Sequence, residues 1–177
     1  MTIESDKKMI DFREDVLPLK NKLFRLALRL TGVRADAEDI VQETLIKVWN
    51  KRDELDRIES VEAFSLTICR HLALDHLARF DNRHETLDEA LADTTRDLSA
   101  SPLMATAQND RRTWVMQLFR QLPEKQKTVM QLRDIEGKSY KEIAQVLGIT
   151  EEQVKVTLFR ARQRIRQAFE KIENYGL

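Results

Sequence analysis

The chain has 177 residues, and its 30 Lys and Arg are balanced by 30 Asp and Glu, so the formal net charge is zero. That total excludes a globally basic nucleic-acid binder and leaves a locally basic one open. With 34% charged residues, 6% aromatics, 4 Gly and 3 Pro, the composition is poor material for a turn-rich all-β fold and predicts an all-α protein. At roughly 150 residues per domain the length fits one domain or two small ones.

Cys69 is the single cysteine, so no internal disulfide can form. No Cys or His stands beside it at ligand spacing, so no metal or cofactor is expected, and Cys69 reads as a small buried hydrophobe. Met1 to Arg13 contain no apolar signal-like core, and nowhere do about 18 apolar residues run together. The expectation is a soluble, cytoplasmic protein without membrane insertion.

Charge is distributed unevenly. Residues 1–60 are near neutral at −1, residues 81–110 carry −5 and residues 111–177 carry +6. The acidic stretch holds Asp81, Glu85, Asp88, Glu89, Asp93, Asp97 and Asp110 among Thr, Ser and Pro, and is short of large apolar residues. Such a composition buries too little surface to offset chain ordering, which predicts an acidic flexible linker over 81–108 between helical domains at 1–80 and 109–177. Attraction between the −5 linker and the +6 second lobe offers a self-occluded state.

In chain order, Leu19, Leu23, Leu26, Ala27 and Leu30 recur at helical spacing until Gly32 supplies a stop. Ala37, Ile40, Val41, Thr44, Leu45, Val48 and Trp49 repeat the pattern on a second helix. After a charged loop from Asn50 to Ser60, Val61, Phe64, Ile68 and Leu72 mark a third helix running to about Arg79. In the second lobe, Trp114, Val115, Leu118, Phe119 and Leu122 line a helix ended by Pro123. Val129, Leu132 and Ile135 line the next, which stops at Gly137.

Ser139 and Glu142 have the spacing of a capping box, and Ile143, Ala144 and Leu147 form the apolar side of the short helix that follows, up to Gly148. Thr150 and Gln153 repeat that spacing before a long helix with Val154, Leu158, Ala161, Ile165 and Phe169 facing inward. Two capped helices around Gly148, Ile149 and Thr150 are the signature of a helix-turn-helix, in which the small Ala144 permits close crossing. From Lys155 to Arg166 the last helix carries Lys155, Arg160, Arg162, Arg164 and Arg166 and no acid. Such a stripe suits DNA phosphates and base edges, and a basic face offsetting the helix dipole in solvent is the plainer alternative. Glu151 and Glu152 support the N-terminus of that helix.

These residues resemble a family, the extracytoplasmic-function (ECF) group of bacterial sigma factors. Leu122 to Thr150 and Val154 to Arg162 look like its C-terminal promoter domain and recognition helix. Asp36 to Trp49 is similar to its polymerase-binding helix, and Ala63 to Arg79 to its promoter-melting helix. The likeness covers about residues 15–80 and 109–172. The ordered pair of motifs is its specific signal, since a helix-turn-helix alone is common.

Asp39, Gln42 and Glu43 lie at i, i+3 and i+4 and so share one helix face that offers two carboxylates and an amide to a partner's Arg side chains. The resemblance implies that this partner is core RNA polymerase, contacted at the beta-prime clamp and beta flap. It also implies promoter DNA and an anti-sigma factor as partners. For the −10 element it points to Arg70, His71 and Arg79, with Asp56 to Glu62 as a base-capturing loop. Capture of an extruded base and tracking of the backbone would offset the cost of melting. His71 stands where many relatives have Asn, Thr67 where Arg is frequent, and Phe64 and Ser65 where Trp-Leu is usual, so this surface is less basic than in relatives. A half-buried, satisfied His71 is the alternative.

On the recognition helix the −35 positions fall on Lys155, Val156, Thr157, Phe159 and Arg160, with Arg162 and Arg164 toward phosphates or solvent. Val156 replaces a frequent Ser and Thr157 a frequent Arg, which alters the expected sequence preference. Arg160 could meet a guanine or a phosphate, and Phe159 a thymine methyl or its own domain. The linker either threads toward the polymerase active-site and RNA-exit path or is a solvated spacer.

The reading is a non-enzymatic sigma factor that directs promoter-specific initiation from −35 and −10 elements. Two other classes stay open: an autonomous operator-binding regulator, and a sigma-like adaptor that binds polymerase without initiating. The histidines and carboxylates form no catalytic spacing.

Overall fold

The computed structural model describes residues 10–87, 115 and 117–174, which form helices joined by short turns, with no strand among them. The linker's acidic core from Asp88 to Asp110, Trp114, and the chain ends lie outside the described residues.

A capped π-helical turn, Phe12–Val16, leads through the short 3-10 turn Leu17–Leu19 into α1, Lys20–Thr31. Asp11 caps the first turn by accepting from the backbone N–H of Arg13 and Glu14. α1 stops where the apolar spacing stops, at Gly32, whose φ of 73° closes the helix with an N–H to the Leu28 carbonyl at 2.9 Å. α2, Arg34–Asn50, runs back against it, and the 3-10 turn Arg52–Arg57 leads into α3, Val61–Leu87. α3 continues past Arg79, so the first residues assigned to the linker are helical.

In the second lobe, helical residues 117–120 turn before Pro123, and α4, Glu124–Met130, runs directly into a π-helical turn, Gln131–Ile135. That wider turn corrects one expectation. Ile135 is not on the inward face with Val129 and Leu132 but is 55% exposed, because the extra residue in the turn rotates it off the α-helical register.

α5, Tyr140–Leu147, carries the expected capping box: Glu142 N–H donates to Ser139 Oγ at 3.2 Å, and Ser139 N–H to the Glu142 carboxylate at 2.8 Å. Gly148 ends it at φ 64°. Thr150 and Gln153 make the same reciprocal pair at 3.0 and 3.2 Å and open α6, Glu151–Asn174. Each such cap is worth about 1 kcal/mol.

The lobes are not separate. Leu23, Leu26, Leu66 and Cys69 belong to one apolar cluster with Val129, Leu132, Ile143 and Val146. Leu23, Leu26, Leu66, Leu132 and Ile143 are fully buried, and each contributes about 1.5–3 kcal/mol. α3 is therefore covered on two sides: Phe64 and Ile68 pack toward Val48 and Leu55, while Ala63, Leu66, Cys69 and Ala73 belong to the shared core. Cys69 is fully buried as expected, and burial pushes its thiol up to about 12.

Candidate functional site

The outer face of α2 is presented to solvent. Ala37, Ile40, Val41, Thr44 and Val48 are buried and fix the helix in its lobe, which turns Asp39, Gln42 and Glu43 outward together. Glu43 lies 3.4 Å from Lys47, an exposed pair of little energetic weight that a partner can displace. Ile46, 59% exposed, falls on the same stripe, seven residues after Asp39. Trp49 corrects its inward assignment: it is 47% exposed, with Phe12 against it edge-on at 4.9 Å and the Arg52 guanidinium 4.8 Å above its ring. A row of acid and amide beside an apolar patch and a ring with a π-face can meet both Arg side chains and apolar groups of a partner helix.

α6 presents the second surface. Val154, Leu158 and Ala161 are buried, so Lys155, Val156, Phe159, Arg160 and Arg164 face outward, with Thr157 half-buried. Phe159 is 67% exposed, which removes the alternative that it packs on its own domain. Two basic side chains are already oriented. Lys155 Nζ lies 5.6 Å from the centre of the Tyr140 ring, over which the Arg133 guanidinium also sits at 4.6 Å. Arg162 is held by the Asp134 carboxylate, which raises its already high pKa and turns it toward the π-helical turn that follows α4.

The third set of expected residues is divided. His71 and Arg79 are exposed, so His71 is not a half-buried side chain. Arg70 is only 7% exposed, and its Nε and Nη2 donate to Glu124 Oε1 and Oε2 at 2.7 and 2.9 Å. Thr128 Oγ1 donates to the same carboxylate at 2.9 Å. The expected base-capturing loop is also engaged. Glu59 accepts from Lys141 and Gln145 at 3.2 and 3.1 Å, and Glu62 pairs with Lys138 at 2.6 Å and Lys22 at 2.8 Å. Burial raises the Glu62 carboxyl, but the Lys138 and Lys22 hydrogen bonds outweigh it and hold the group below its usual range.

Sequence reasoning missed a further pair at this seam. Arg25 Nε and Nη2 both donate to Glu136 at 2.7 Å, and Gln131 Nε2 adds a bond at 3.0 Å. Glu136 is held low chiefly by Arg25, against its burial. Beside it, Arg29 donates to Gln131 Oε1 at 3.2 Å and lies over the Phe119 ring at 4.4 Å. Burial and then the charge of Arg120 push the Arg29 guanidinium down.

Family models match both lobes of the chain. Residues 16–83 match the model of Sigma-70 region 2, and residues 112–165 that of Sigma-70 region 4. The ECF RNA polymerase sigma factor SigL of Mycobacterium tuberculosis is 33% identical over 153 residues, which are 85% of this chain and 84% of SigL. The chain belongs to the ECF group of RNA polymerase sigma factors.

The probable RNA polymerase sigma factor RfaY of Xanthomonas campestris pv. campestris is 28% identical over 155 residues, 85% of this chain but 38% of that longer protein. The fold is that of the sigma factor RpoE solved with the anti-sigma factor NepR from Bartonella quintana, at a TM-score of 0.67, 22% identity, and coverage of 90% of this chain and 97% of that one. A sigma factor of this family binds core RNA polymerase and directs promoter-specific initiation, and the helix-turn-helix of α5 and α6 belongs to the region 4 match. Among the described residues no helix is long and apolar enough to cross a membrane.

Proposed function

We propose that this sigma factor divides its work at the boundaries read from composition, with polymerase binding and −10 melting in residues 1–80, a tether in 81–108 and −35 recognition in 109–177. Core polymerase docks on the α2 face of Asp39, Gln42 and Glu43, extended by Ile46. α6 enters the −35 major groove with Lys155, Val156, Thr157, Phe159 and Arg160 toward the bases, while Arg164 follows the backbone. Arg162, tied to Asp134, orients the helix and reaches phosphate only by leaving that carboxylate. Arg70, His71 and Arg79 line the path of the melted −10 strand.

The observation that carries this reading is the outward row on α2, since an operator-binding regulator that works alone has no use for an exposed acid-and-amide face beside Ile46. The protein itself performs no catalysis and acts in the cytoplasm, where its polymerase and DNA are. An anti-sigma factor fits as its controller, as NepR is seen on RpoE. The test is reconstituted transcription with core polymerase and a genomic promoter library. Promoter-specific transcripts that disappear with Glu43→Lys are expected; tight operator binding by the protein alone with no transcripts would overturn the reading.

A further inference from the structure

We propose that Glu152 is a base-reading residue of α6: its carboxylate accepts from the N4 amino group of a cytosine in the −35 element, while Val156 meets the methyl group of a thymine about two base steps away. The inference rests on the proposed entry of α6 into the −35 major groove and names the bases that two of its side chains take.

Three observations carry it. First, Glu152 heads the stripe that faces DNA. Val154, Leu158 and Ala161 are buried, and Lys155, Val156, Phe159 and Arg160 follow Glu152 at i+3, i+4, i+7 and i+8, all of them exposed as Glu152 is. A helix-turn-helix brings the N-terminal part of its second helix to the base edges, so the head of this stripe reaches the bases. Second, the fold has little need of this carboxylate. The start of α6 is closed by Thr150 and Gln153 at 3.0 and 3.2 Å, and Glu151 already sets an acid against the helix dipole. Among the described residues the Glu152 side chain makes no hydrogen bond or ion pair.

Third, the stripe mixes groups that only particular base edges can satisfy. A carboxylate is repelled by phosphates, and equally by guanine O6 and N7, adenine N7 and thymine O4. Cytosine is the base that shows an amino donor in the major groove and no acceptor of its own. One turn further on, Val156 is 47% exposed and brings an isopropyl group to a surface where the thymine methyl is the apolar group on offer. At about 1.5 Å per residue it lies about 6 Å along α6 from Glu152, close to the rise of about two base pairs. Selectivity then comes partly from exclusion: Arg164 attracts any duplex, and Glu152 penalises those that place an acceptor against it.

The test uses the full chain with core polymerase on a promoter library in which only the −35 element is randomised, with transcripts sequenced. Wild type should favour cytosine at one −35 position roughly tenfold. Glu152→Ala should lose that preference and transcribe better from templates that lack the cytosine, because the repulsion is gone. Glu152→Gln should move the preference to adenine, whose N6 and N7 suit a side-chain amide. Deoxyuridine in place of the nearby thymine removes only the methyl group; it should weaken wild type several-fold and leave Val156→Ala unaffected. Both side chains are exposed, and thermal melting confirms that the variants fold. A wild type with −35 preferences that Glu152→Ala leaves intact overturns this inference alone, as does a deoxyuridine effect that Val156→Ala retains in full. A wild type that never initiates, or that shows no −35 preference, refutes the reading on which the inference rests.

Discussion

α2 and α3 were built from similar apolar spacing, yet one turns a face to solvent and the other is covered on two sides. On α2 the buried positions run through Ala37, Ile40, Val41, Thr44 and Val48, and Asp39, Gln42, Glu43 and Ile46 project from the opposite side. On α3 the stripe of Phe64 and Ile68 packs in its own lobe while Ala63, Leu66, Cys69 and Ala73 pack in the core shared with the second lobe. A helix packed on one side has a surface to offer at once, whereas a helix packed on two sides must first be uncovered on one of them. In the function proposed above, the polymerase face is of the first kind and the promoter-melting helix of the second.

Substitutions on the two helices should separate the two kinds of surface. Leu66→Ala, which opens a cavity in the shared core, should cost about 2–5 kcal/mol in denaturant unfolding, whereas Ile46→Ala should stay within about 0.5 kcal/mol. Arg70→Gln should cost about 1–3 kcal/mol, because Glu124 loses both charged hydrogen bonds and keeps only Thr128. Asp39→Ala should leave unfolding unchanged and weaken core polymerase binding several-fold, with DNA binding by the second lobe intact. A loss of both would mean that the first lobe had come apart.

On the recognition helix, Arg160→Ala should cost about 1–3 kcal/mol in promoter binding and relax preference at one base position; a uniform loss would assign Arg160 to phosphate. The smallest effect concerns pH. Glu62 and Glu136 are held below the ordinary 4.5 in the folded chain. Their contribution is complete above that value and lost as pH falls through the lower folded values. The unfolding midpoint should accordingly drop on acidification below about pH 4, and by less in Glu136→Gln than in wild type.

Most of the fold was legible because its signals are local. Helical spacing placed α1, α2 and α6, and Gly32, Gly148, Ser139 and Thr150 marked ends that the structure closes with the expected hydrogen bonds. The second face of α3 was missed because Ala63, Leu66, Cys69 and Ala73 form an apolar stripe directly beside that of Phe64 and Ile68, and periodicity alone reads the two as one. Ile135 was misplaced because no residue type announces a π-helical turn. The ion pairs at the seam join residues 54 and 111 positions apart, as in Arg70 with Glu124 and Arg25 with Glu136, and no periodicity reports partners at such range. Arg70 was identified as a basic residue on the promoter helix; that it is already paired could come only from the three-dimensional structure.

The distance between the lobes tests the account most directly. Spin labels at Lys20→Cys on α1 and Gln163→Cys on α6 sit at exposed positions, and the buried Cys69 thiol, pushed up to about 12, should not compete for label. A single short, narrow distance distribution is expected in the free protein, and a longer one when core polymerase and promoter DNA are bound. A broad, long distribution in the free chain, or a short one that persists in the initiation complex, would contradict a helix packed on two sides that is uncovered on one of them.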